Sequence, residues 1–525
     1  MGHPTLVKRL QDPRIYPHPV TQVDLIETHL SWIFLTGRYA YKMKKPLDLG
    51  FADFSTLEKR RFYCHEELRL NQPLAPEIYL EVIAVGGSAE SPGLGGNGEP
   101  IDYLLKMREF PQSNRLDRVF ERGELTSVMI DELVAKVALG HADASRAGSN
   151  QRFGGADQVC VPVNGSMGQI RQRLMDTRPG ELTAGALSIV EELKAWCDRV
   201  HRRLREAFQQ RKEEGFIRDC HGDLHLANMA LVDGRLSIFD RLEFDERLRW
   251  IDLMSDVAFV VMDLDYRQAE ALGWHFLNGY LEQTGDYQGL LVLPYYLVYR
   301  ALVRAKVALI RSTQVTDLTE ARNSALKQFS AFLELARHYT ERRRPILLLM
   351  HGLSGSGKSW LSRQLVTELG AIRVRTDVER KRGSSRPVDE PTPANQRTTL
   401  YQSNATMAVY QQVARCCGAG LSAGYSMIAD GTFLYQWQRD QFRLVAQSVG
   451  VPLVILDLHA PHAELERRLR GRTGDSSDAN LDVLATQIAT AEPLSAVDQP
   501  SFIGVEVDQD VDLRALIGKI REKTG

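Results

Sequence analysis

The sequence is poor in cysteine and has no long uncharged apolar run. Its 525 residues include six cysteines, none in a CxxC pair, so no disulfide framework is indicated and a reducing compartment is favoured. The most apolar stretch, residues 290–310, carries Arg300, Arg304 and Lys306 and is expected to form a buried or amphipathic helix. The first residues, MGHPTLVKRLQDP, lack the apolar core of a signal peptide. These absences predict a cytoplasmic protein without a membrane partner.

The sequence also lacks an excess of charge of either sign. Its 65 basic and 67 acidic residues give a formal net charge of -2. This balance argues against a general nucleic-acid or membrane-surface binder but leaves room for a local basic groove. Apolar residues make up 43% and charged residues 25%, as in ordinary globular proteins, and the length predicts two or three domains. Nothing in the sequence indicates an oligomeric state.

The pattern of the first 340 residues predicts a small antiparallel sheet followed by a mainly helical lobe. SWIFL and RYAYKMKK read as strands joined by a Thr36-Gly37 turn, and residues 55–74 have helical periodicity with a start signal at Ser55. EIYLEVIAV and PIDYLLKMREF read as strands joined by a Gly-rich connector at 85–100. Because no helix start follows this connector, we interpret it as a hairpin loop and not as a phosphate loop.

The pattern changes after ERRRP, residues 341–345. From there on, apolar strands alternate with amphipathic helices, which is typical of a parallel sheet covered by helices on both faces. We therefore predict an α+β domain at 1–340, a linker at 341–345 and an α/β domain with a mainly parallel sheet at 346–525.

The stretch GLSGSGKS completes the pattern G-x-x-x-x-G-K-S between a predicted strand and a predicted helix. Glycines allow backbone N–H groups to surround phosphates, Lys358 would reach the β- and γ-phosphates, and the Ser359 hydroxyl would bind Mg²⁺. The predicted nucleotide-binding loop comprises Gly352, Leu353, Ser354, Gly355, Ser356, Gly357, Lys358 and Ser359.

Polar residues at the ends of the following strands indicate a kinase. Asp377 could orient or deprotonate an acceptor hydroxyl, and Arg380 could hold an anionic group of the acceptor. Asp430 ends the strand YSMIAD and is placed to support Mg²⁺. LERRLRGRTGDSSDAN, residues 465–480, supplies four arginines beside a Gly-rich stretch and is interpreted as a lid, although one or two of them would fit a solvated helix face equally well.

These motifs resemble the small P-loop kinases that phosphorylate metabolites or polynucleotide ends, a group that includes the zeta-type toxins and belongs to the AAA-type P-loop proteins. The resemblance rests on GLSGSGKS, on Asp377 and Arg380 in DVER, on IADGTF and on Arg468 and Arg472 with the following SDA. It implies that Asp377 acts on the acceptor hydroxyl and that a lid arginine, Arg468 or Arg472, binds the nucleotide phosphates.

A second cluster of polar residues lies in HGDLHLANMALVDGRLSIFD, residues 221–240. Asn228 follows Asp223 by the spacing of a kinase catalytic loop, and an Asp233-Gly234 turn predicts a hairpin whose second strand delivers Asp240. Phosphoryl transfer would use Asp223 as the base and Asn228 and Asp240 as ligands of Mg²⁺. His225 is either a support for this loop or a simple loop histidine.

This second site also requires a lysine on an upstream strand and a glutamate on the next helix. Lys42 in Ala40-Tyr41-Lys42 and Glu67 are the candidates, with Lys44 and Glu66 as alternatives. Without the hairpin downstream, Lys42 and Lys44 would read as solvated charges of an edge strand.

The residues from about 25 to 335 resemble the aminoglycoside phosphotransferase-like kinases, a branch of the protein-kinase-like fold. The resemblance is carried by HGDLHLAN, by IFD and by Asp252 and Asp256. Two features depart from it. No G-x-G-x-x-G loop precedes Lys42, and Asp240 is followed by Arg241 and Leu242 instead of Phe-Gly.

The leading hypothesis is a bifunctional phosphotransferase with two ATP·Mg²⁺ sites, each acting on a hydroxyl of a small molecule, with GTP as an alternative to ATP. The missing Gly-rich loop motivates another hypothesis, in which the N-terminal half is a binding or regulatory module and the P-loop half is the only kinase. The basic run at 373–382 motivates nucleic-acid 5′ ends as an alternative acceptor for that half.

Overall fold

The structure of the protein is a computed structural model that describes the chain except for residues 1–3, 49, 51, 96–97, 149–150, 177–180, 315–318, 384–402, 472–479, 508–510 and 525. It divides into two compact units, of which the first comprises Met1–Val159 and Phe208–Asp263. The second comprises Cys160–Ala207 and Leu264–Gly525, so the segment 341–345 lies inside it. The domain boundary at 341–345 remains a prediction.

The strands are β1 Asp24–Glu27, β2 Ser31–Leu35, β3 Tyr39–Lys44, β4 Tyr79–Gly87, β5 Pro92–Leu94, β6 Asp102–Arg108, β7 Ile217–Asp219, β8 Met229–Val232, β9 Arg235–Ile238, β10 Trp250–Asp252, β11 Leu347–His351, β12 Ala371–Arg375, β13 Ser426–Asp430, β14 Leu453–His459 and β15 Phe502–Glu506.

The helices are α1 Pro4–Arg9, α2 Leu57–Asn71, α3 Leu116–Glu121, α4 Ser127–Asp143, α5 Ala156–Met175, α6 Glu181–Arg203, α7 Arg205–Glu213, α8 Leu253–Tyr266, α9 Glu270–Thr284, α10 Leu293–Gln314, α11 Thr319–His338, α12 Lys358–Leu369, α13 Thr376–Gly383, α14 Ser403–Ser422, α15 Gln436–Val449, α16 His462–Arg470, α17 Leu481–Thr490 and α18 Leu513–Thr524.

The first unit contains the antiparallel sheet that the sequence predicted, and its strand order is β1-β2-β3-β6-β4-β5. Leu6 and Leu10 from the N-terminal segment pack with Phe34, Tyr41 and Leu104 in one apolar cluster. Lys42 lies opposite Leu105 in the register of β3 and β6. The sheet therefore holds β3, which carries the candidate lysine, between two neighbouring strands.

Helix α2 begins later than the sequence predicted. Its N-cap is Thr56, whose side chain accepts a hydrogen bond from the Lys59 backbone N–H. Ser55 instead donates its backbone N–H and its hydroxyl to Asp53 Oδ1 at 3.0 and 2.6 Å. The proposed start at Ser55 was wrong because this residue is used in the preceding turn.

The hairpin predicted at 229–239 is present. Strands β8 and β9 pair in antiparallel fashion, with Met229 opposite Ile238. Asp233 and Gly234 both have positive φ, 50° and 76°, which is the geometry of a two-residue type I′ turn. This turn places the two ends of the hairpin, which carry the candidate metal ligands, side by side.

The second unit contains a parallel sheet with the strand order β12-β13-β11-β14-β15. Leu361 and Leu365 of α12 and Leu516 and Ile520 of α18 cover one face of it in a continuous apolar core. The sequence predicted the first four strands. It missed β15, since FIGVE is short and alternates between buried and exposed residues instead of forming an apolar run.

The apolar stretch 290–310 lies largely in α10 and has Arg300 buried within it. Among the described residues, no helix combines the length and the apolar character that crossing a bilayer requires.

Candidate active sites

The first candidate site is built around an ion-paired lysine. Lys42 Nζ on β3 lies 2.7 Å from Glu67 Oε1 on α2 and 2.7 Å from Asp240 Oδ1 beyond β9. The side chain of Glu67 is fully buried, whereas that of Asp240 is 43% exposed. Three elements that are distant in sequence thus bring together the predicted nucleotide-binding lysine, its glutamate and a predicted metal ligand.

Lys44, the alternative lysine, belongs to the same cluster but is more deeply buried. It contacts Glu67 Oε2 at 2.7 Å and also forms an ion pair with Glu243. Glu66, the alternative glutamate, pairs with Arg69 on α2 instead. Among the described residues, Asp240 pairs with Lys42 and not with Lys44, so the position of Lys42 suits a ligand phosphate better.

The charges of this cluster stabilise one another in a buried environment. Burial would raise the pKa of Glu67, but Lys42 and Lys44 lower it to about 2. Burial likewise opposes the charge on Lys42, yet Asp240 and Glu67 raise its pKa well above the usual value. The lysine and the glutamate are therefore both charged at neutral pH.

The predicted catalytic loop brings Asp223 and Asn228 into contact. Asn228 Nδ2 donates to Asp223 Oδ2 at 2.9 Å, and His225 Nε2 lies 3.3 Å from the same oxygen. The Asp223 side chain is 30% exposed, so a ligand hydroxyl can reach it. His221 accepts from the Asp223 N–H through Nδ1 and donates through Nε2 to the Phe239 carbonyl, and burial lowers its pKa.

Two buried aspartates of α8, Asp256 and Asp263, hold this loop. The family resemblance included Asp256 but not Asp263. Asp256 accepts hydrogen bonds from the backbone N–H groups of His221 and Gly222 at 2.8 and 3.0 Å, and Asp263 accepts one from Leu226 at 3.0 Å. Gly222 has φ 86°, and a Cβ there would lie 2.6 Å from the Leu248 carbonyl oxygen. The sequence signal was the presence of carboxylates inside an otherwise apolar helix.

The donor set of this site fits Mg²⁺, which prefers carboxylate and amide oxygens. Asp240 and Asn228 lie at the two ends of the β8–β9 hairpin and offer these atoms. Bound Mg²⁺ would neutralise phosphate charge there. Asp240 has φ 62°, a left-handed conformation that aspartate tolerates, and its N–H donates to the Tyr79 hydroxyl at 3.0 Å.

The sequence lacks the glycine-rich loop that would precede Lys42 and cover the phosphates, and the structure shows what takes its place. Strands β1 and β2 are joined by residues 28–30, Thr-His-Leu, and the Thr28 N–H donates to the Ser31 carbonyl. This connection is short and contains no glycine.

The second candidate site is the P-loop between β11 and α12. Gly352 has φ 135°, and a Cβ there would lie 2.7 Å from the Leu458 carbonyl oxygen. Lys358 is buried, and its Nζ donates to the Leu353 carbonyl at 2.7 Å. Gly357 caps α12 with φ 89°, so the helix N-terminus faces the loop.

The predicted metal ligands of the P-loop site are linked through α12. Asp430 at the end of β13 is buried and accepts a hydrogen bond from Ser362 Oγ at 2.9 Å. Ser362 lies one turn after Ser359 on the same helix. A serine hydroxyl and a carboxylate are oxygen ligands that fit Mg²⁺, which would be bound by Ser359 and supported by Asp430.

The acceptor-side residues lie in α13. Asp377 is half-buried in the first turn, and the buried Arg380 donates to Thr406 at 3.4 Å. Burial raises the pKa of Tyr410, and the charges of Arg380 and Asp377 both act on this hydroxyl. Both predicted residues therefore lie on α13, which directly follows β12.

The arginines of α16 separate into two groups. Arg468 Nη2 donates to the Val507 carbonyl at 2.6 Å and Nη1 to that of Gly355 in the P-loop at 3.4 Å. Arg467 and Arg470 are 73% and 66% exposed and pair with neighbouring glutamates on the helix surface. Arg472 and the SDA stretch lie outside the described residues.

A cavity of about 500 Å³ opens beside the P-loop. Its wall includes Asp457, which lies 2.6 Å from His351 Nδ1 and 2.6 Å from His459 Nε2. Its volume is within the usual range for small-molecule pockets. This cluster was not predicted from the sequence, because its residues belong to two apolar strands.

These observations define a chain that joins a protein-kinase-like fold to a P-loop domain. The model of the AAA domain family matches residues 347–494. The chain is 30% identical to the uncharacterized protein Rv2004c of Mycobacterium tuberculosis over 479 residues, 90% of this chain and 91% of the relative, and it belongs to the same family.

Solved structures resemble the two parts separately. Choline kinase from Cryptosporidium parvum Iowa II is 14% identical, with a TM-score of 0.37, over 64% of this chain and 94% of its own. A gluconokinase from Sinorhizobium meliloti 1021 is 22% identical, with a TM-score of 0.23, over 35% of this chain and 91% of its own.

Proposed function

We propose that the protein is a bifunctional ATP-dependent phosphotransferase with two nucleotide sites. Each site would transfer the γ-phosphoryl group of ATP, with Mg²⁺ bound, to a hydroxyl of a small molecule. Asp223 would serve as the base of the first site and Asp377 as that of the second. Arg380 would bind an anionic group of the second acceptor.

The assembly of Lys42, Glu67 and Asp240 is the observation that carries this proposal. A kinase site requires a lysine for the phosphates, a glutamate that holds it and a carboxylate for the metal. In this chain the three side chains are already in contact, at 2.7 Å, on three separate elements. The P-loop adds a second lysine and a second metal-ligand pair, so each half contains the parts needed for transfer.

Mass spectrometry of metabolite extracts treated with ATP and Mg²⁺ tests the proposal. Wild-type protein should produce at least two new phosphorylated species. Asp223→Asn should remove one set and Lys358→Ala another. If both variants produced the same species as the wild type, the proposal would be wrong.

The short connection between β1 and β2 favours a second candidate, in which the N-terminal half binds a ligand without transfer and the P-loop half is the only kinase. In that case Asp223→Asn would leave every phosphorylated product unchanged, and Lys358→Ala would abolish all of them. Nucleic-acid ends as an acceptor receive no such support. Arg373, Arg375, Arg380 and Lys381 are buried, and Arg382 pairs with Glu379.

A further inference from the structure

Helix α9 carries three side chains, one turn apart, that all contact the P-loop half of the second unit. Trp274 packs against the core of the parallel sheet. Asn278 Nδ2 donates to the Ala371 carbonyl at 3.1 Å, and its Oδ1 accepts from the Arg373 N–H at 2.8 Å. In the described sheet β12 is an edge strand. The Asn278 side-chain amide therefore forms hydrogen bonds with backbone groups of β12 that would otherwise be open to pairing with another strand.

Glu282, the third side chain, binds two buried arginines of β12. Its Oε2 lies 3.1 Å from Arg373 Nη2, and its Oε1 lies 3.0 Å from Arg375 Nη1. Burial would raise the pKa of Glu282, but the two arginines lower it, so the carboxylate is charged. A buried guanidinium without such a partner would be strongly destabilising.

Arg373 connects this carboxylate to the metal-ligand region of the P-loop. Its Nη1 donates to the Ser359 carbonyl at 3.3 Å and to Ser362 Oγ at 3.4 Å. Ser362 donates in turn to Asp430 at 2.9 Å. Arg373 Nε has no hydrogen-bond partner among the described residues, so Glu282 and the α12 atoms set the orientation of the guanidinium.

We propose that Glu282 is a positioning residue for the Mg²⁺ site of the P-loop, acting through Arg373 and Ser362 on Asp430 and Ser359. It orients the Arg373 guanidinium and offsets its positive charge, which would otherwise repel a divalent cation. This inference rests on the proposed nucleotide binding by the P-loop. It makes α9 part of the machinery that sets the metal affinity of that site.

Calorimetric titration of the full chain with ATP at a series of Mg²⁺ concentrations tests this inference. All proteins carry Lys42→Ala so that only the P-loop site is measured. Glu282→Gln should raise the Mg²⁺ concentration required for half-maximal affinity about tenfold or more, as loss of a partner behind a metal ligand does. Affinity for ATP without Mg²⁺ should stay within about twofold, because the phosphate contacts remain.

Ser362→Ala, which interrupts the same connection without removing a buried charge, should produce a similar shift. The double variant should shift no further than either single one, because both changes break one route. The matched control is Arg375→Gln, which removes the other arginine but keeps the pair between Glu282 and Arg373, and it should leave the Mg²⁺ requirement unchanged.

A shift for Glu282→Gln no larger than that of Arg375→Gln, or no shift for Ser362→Ala, would overturn the inference. Failure of the underlying proposal would be visible separately. In that case Lys358→Ala would leave ATP binding intact in the Lys42→Ala background.

Discussion

The two candidate sites are assembled in different ways. In the first, Lys42 contacts Glu67, which is 25 residues away in the sequence, and Asp240, which is 198 residues away. In the second, Lys358 donates to a carbonyl only five residues earlier, within one continuous loop. The first site therefore depends on the packing of three elements, whereas the nucleotide loop of the second depends mainly on local backbone geometry.

The lysines of the two sites also have different contacts within their own sites. Lys42 and Lys44 of the first site form ion pairs with Glu67 before any ligand binds. Lys358 of the second site donates to the Leu353 carbonyl and to the Ser356 hydroxyl within its own loop. A nucleotide entering the first site must compete with Asp240 for Lys42. Mg²⁺ bound by Asp240 would relieve that competition.

The largest effect is expected for Asp223, the proposed base of the first site. Asp223→Asn should lower kcat by about 10²–10⁴, the usual contribution of a general base, while the Kd for Mg²⁺·ATP is unchanged. Asp233→Asn is the matched control, since Asp233 lies in the turn of the same hairpin and its carboxylate is 66% exposed. Equal losses of kcat in the two variants would remove the role assigned to Asp223.

A smaller effect is expected for α16, which carries the proposed phosphate-binding arginine of the second site. Arg468→Ala should weaken ATP binding to the P-loop about tenfold or more, as loss of a charged hydrogen bond does, whereas Arg467→Ala should not change it. Titration calorimetry in the Lys42→Ala background measures both. An unchanged Kd for Arg468→Ala would show that the local loop suffices without this arginine.

The smallest effect concerns the pH dependence of stability. Glu67 has a pKa of about 2 in the folded protein and an ordinary value near 4.5 when unfolded. Its contribution to the free energy of unfolding is therefore complete above about pH 4.5 and is lost as the pH falls towards 2. Urea unfolding of the full chain at pH 5 and pH 3 should show a smaller pH-dependent loss of stability in Glu67→Gln than in the wild type.

Glu121→Gln is the control for this experiment, because Glu121 is half-exposed and pairs with its neighbour Arg118 on α3. It should retain the wild-type loss of stability between the two pH values. If Glu67→Gln behaved in the same way, the buried ion pairs would not be what distinguishes the first site.

The sequence predicted those features of both sites that depend on neighbouring residues in the chain. The P-loop, the hairpin with its Asp-Gly turn and most strands of the parallel sheet follow from patterns a few residues long. The fold class is confirmed by the antiparallel and parallel sheets. The start of α2 was misplaced by one residue. Ser55 and Thr56 are both suitable N-cap residues, and Thr56 is the N-cap because Ser55 forms hydrogen bonds with Asp53 in the preceding turn.

Most contacts between distant segments were not accessible in this way, although Lys42 and Glu67 were named together as candidates for one site. Lys42 and Lys44 lie two residues apart on β3 and point to the same face of the sheet, so the sequence pattern cannot choose between them. The position of Asp240 in the structure favours Lys42. Glu243 and Glu282 were not singled out from the sequence, but in the structure they form ion pairs with a buried lysine and buried arginines. A carboxylate whose partner lies many residues away leaves no periodic signal.

The number of nucleotides bound per chain tests the central claim most directly. Titration calorimetry of the full chain with ATP and Mg²⁺ should give two equivalents for the wild type and one for Lys42→Ala or Lys358→Ala. The double variant should bind none. A single equivalent in the wild type, abolished by Lys358→Ala and unaffected by Lys42→Ala, would contradict the claim of two nucleotide sites.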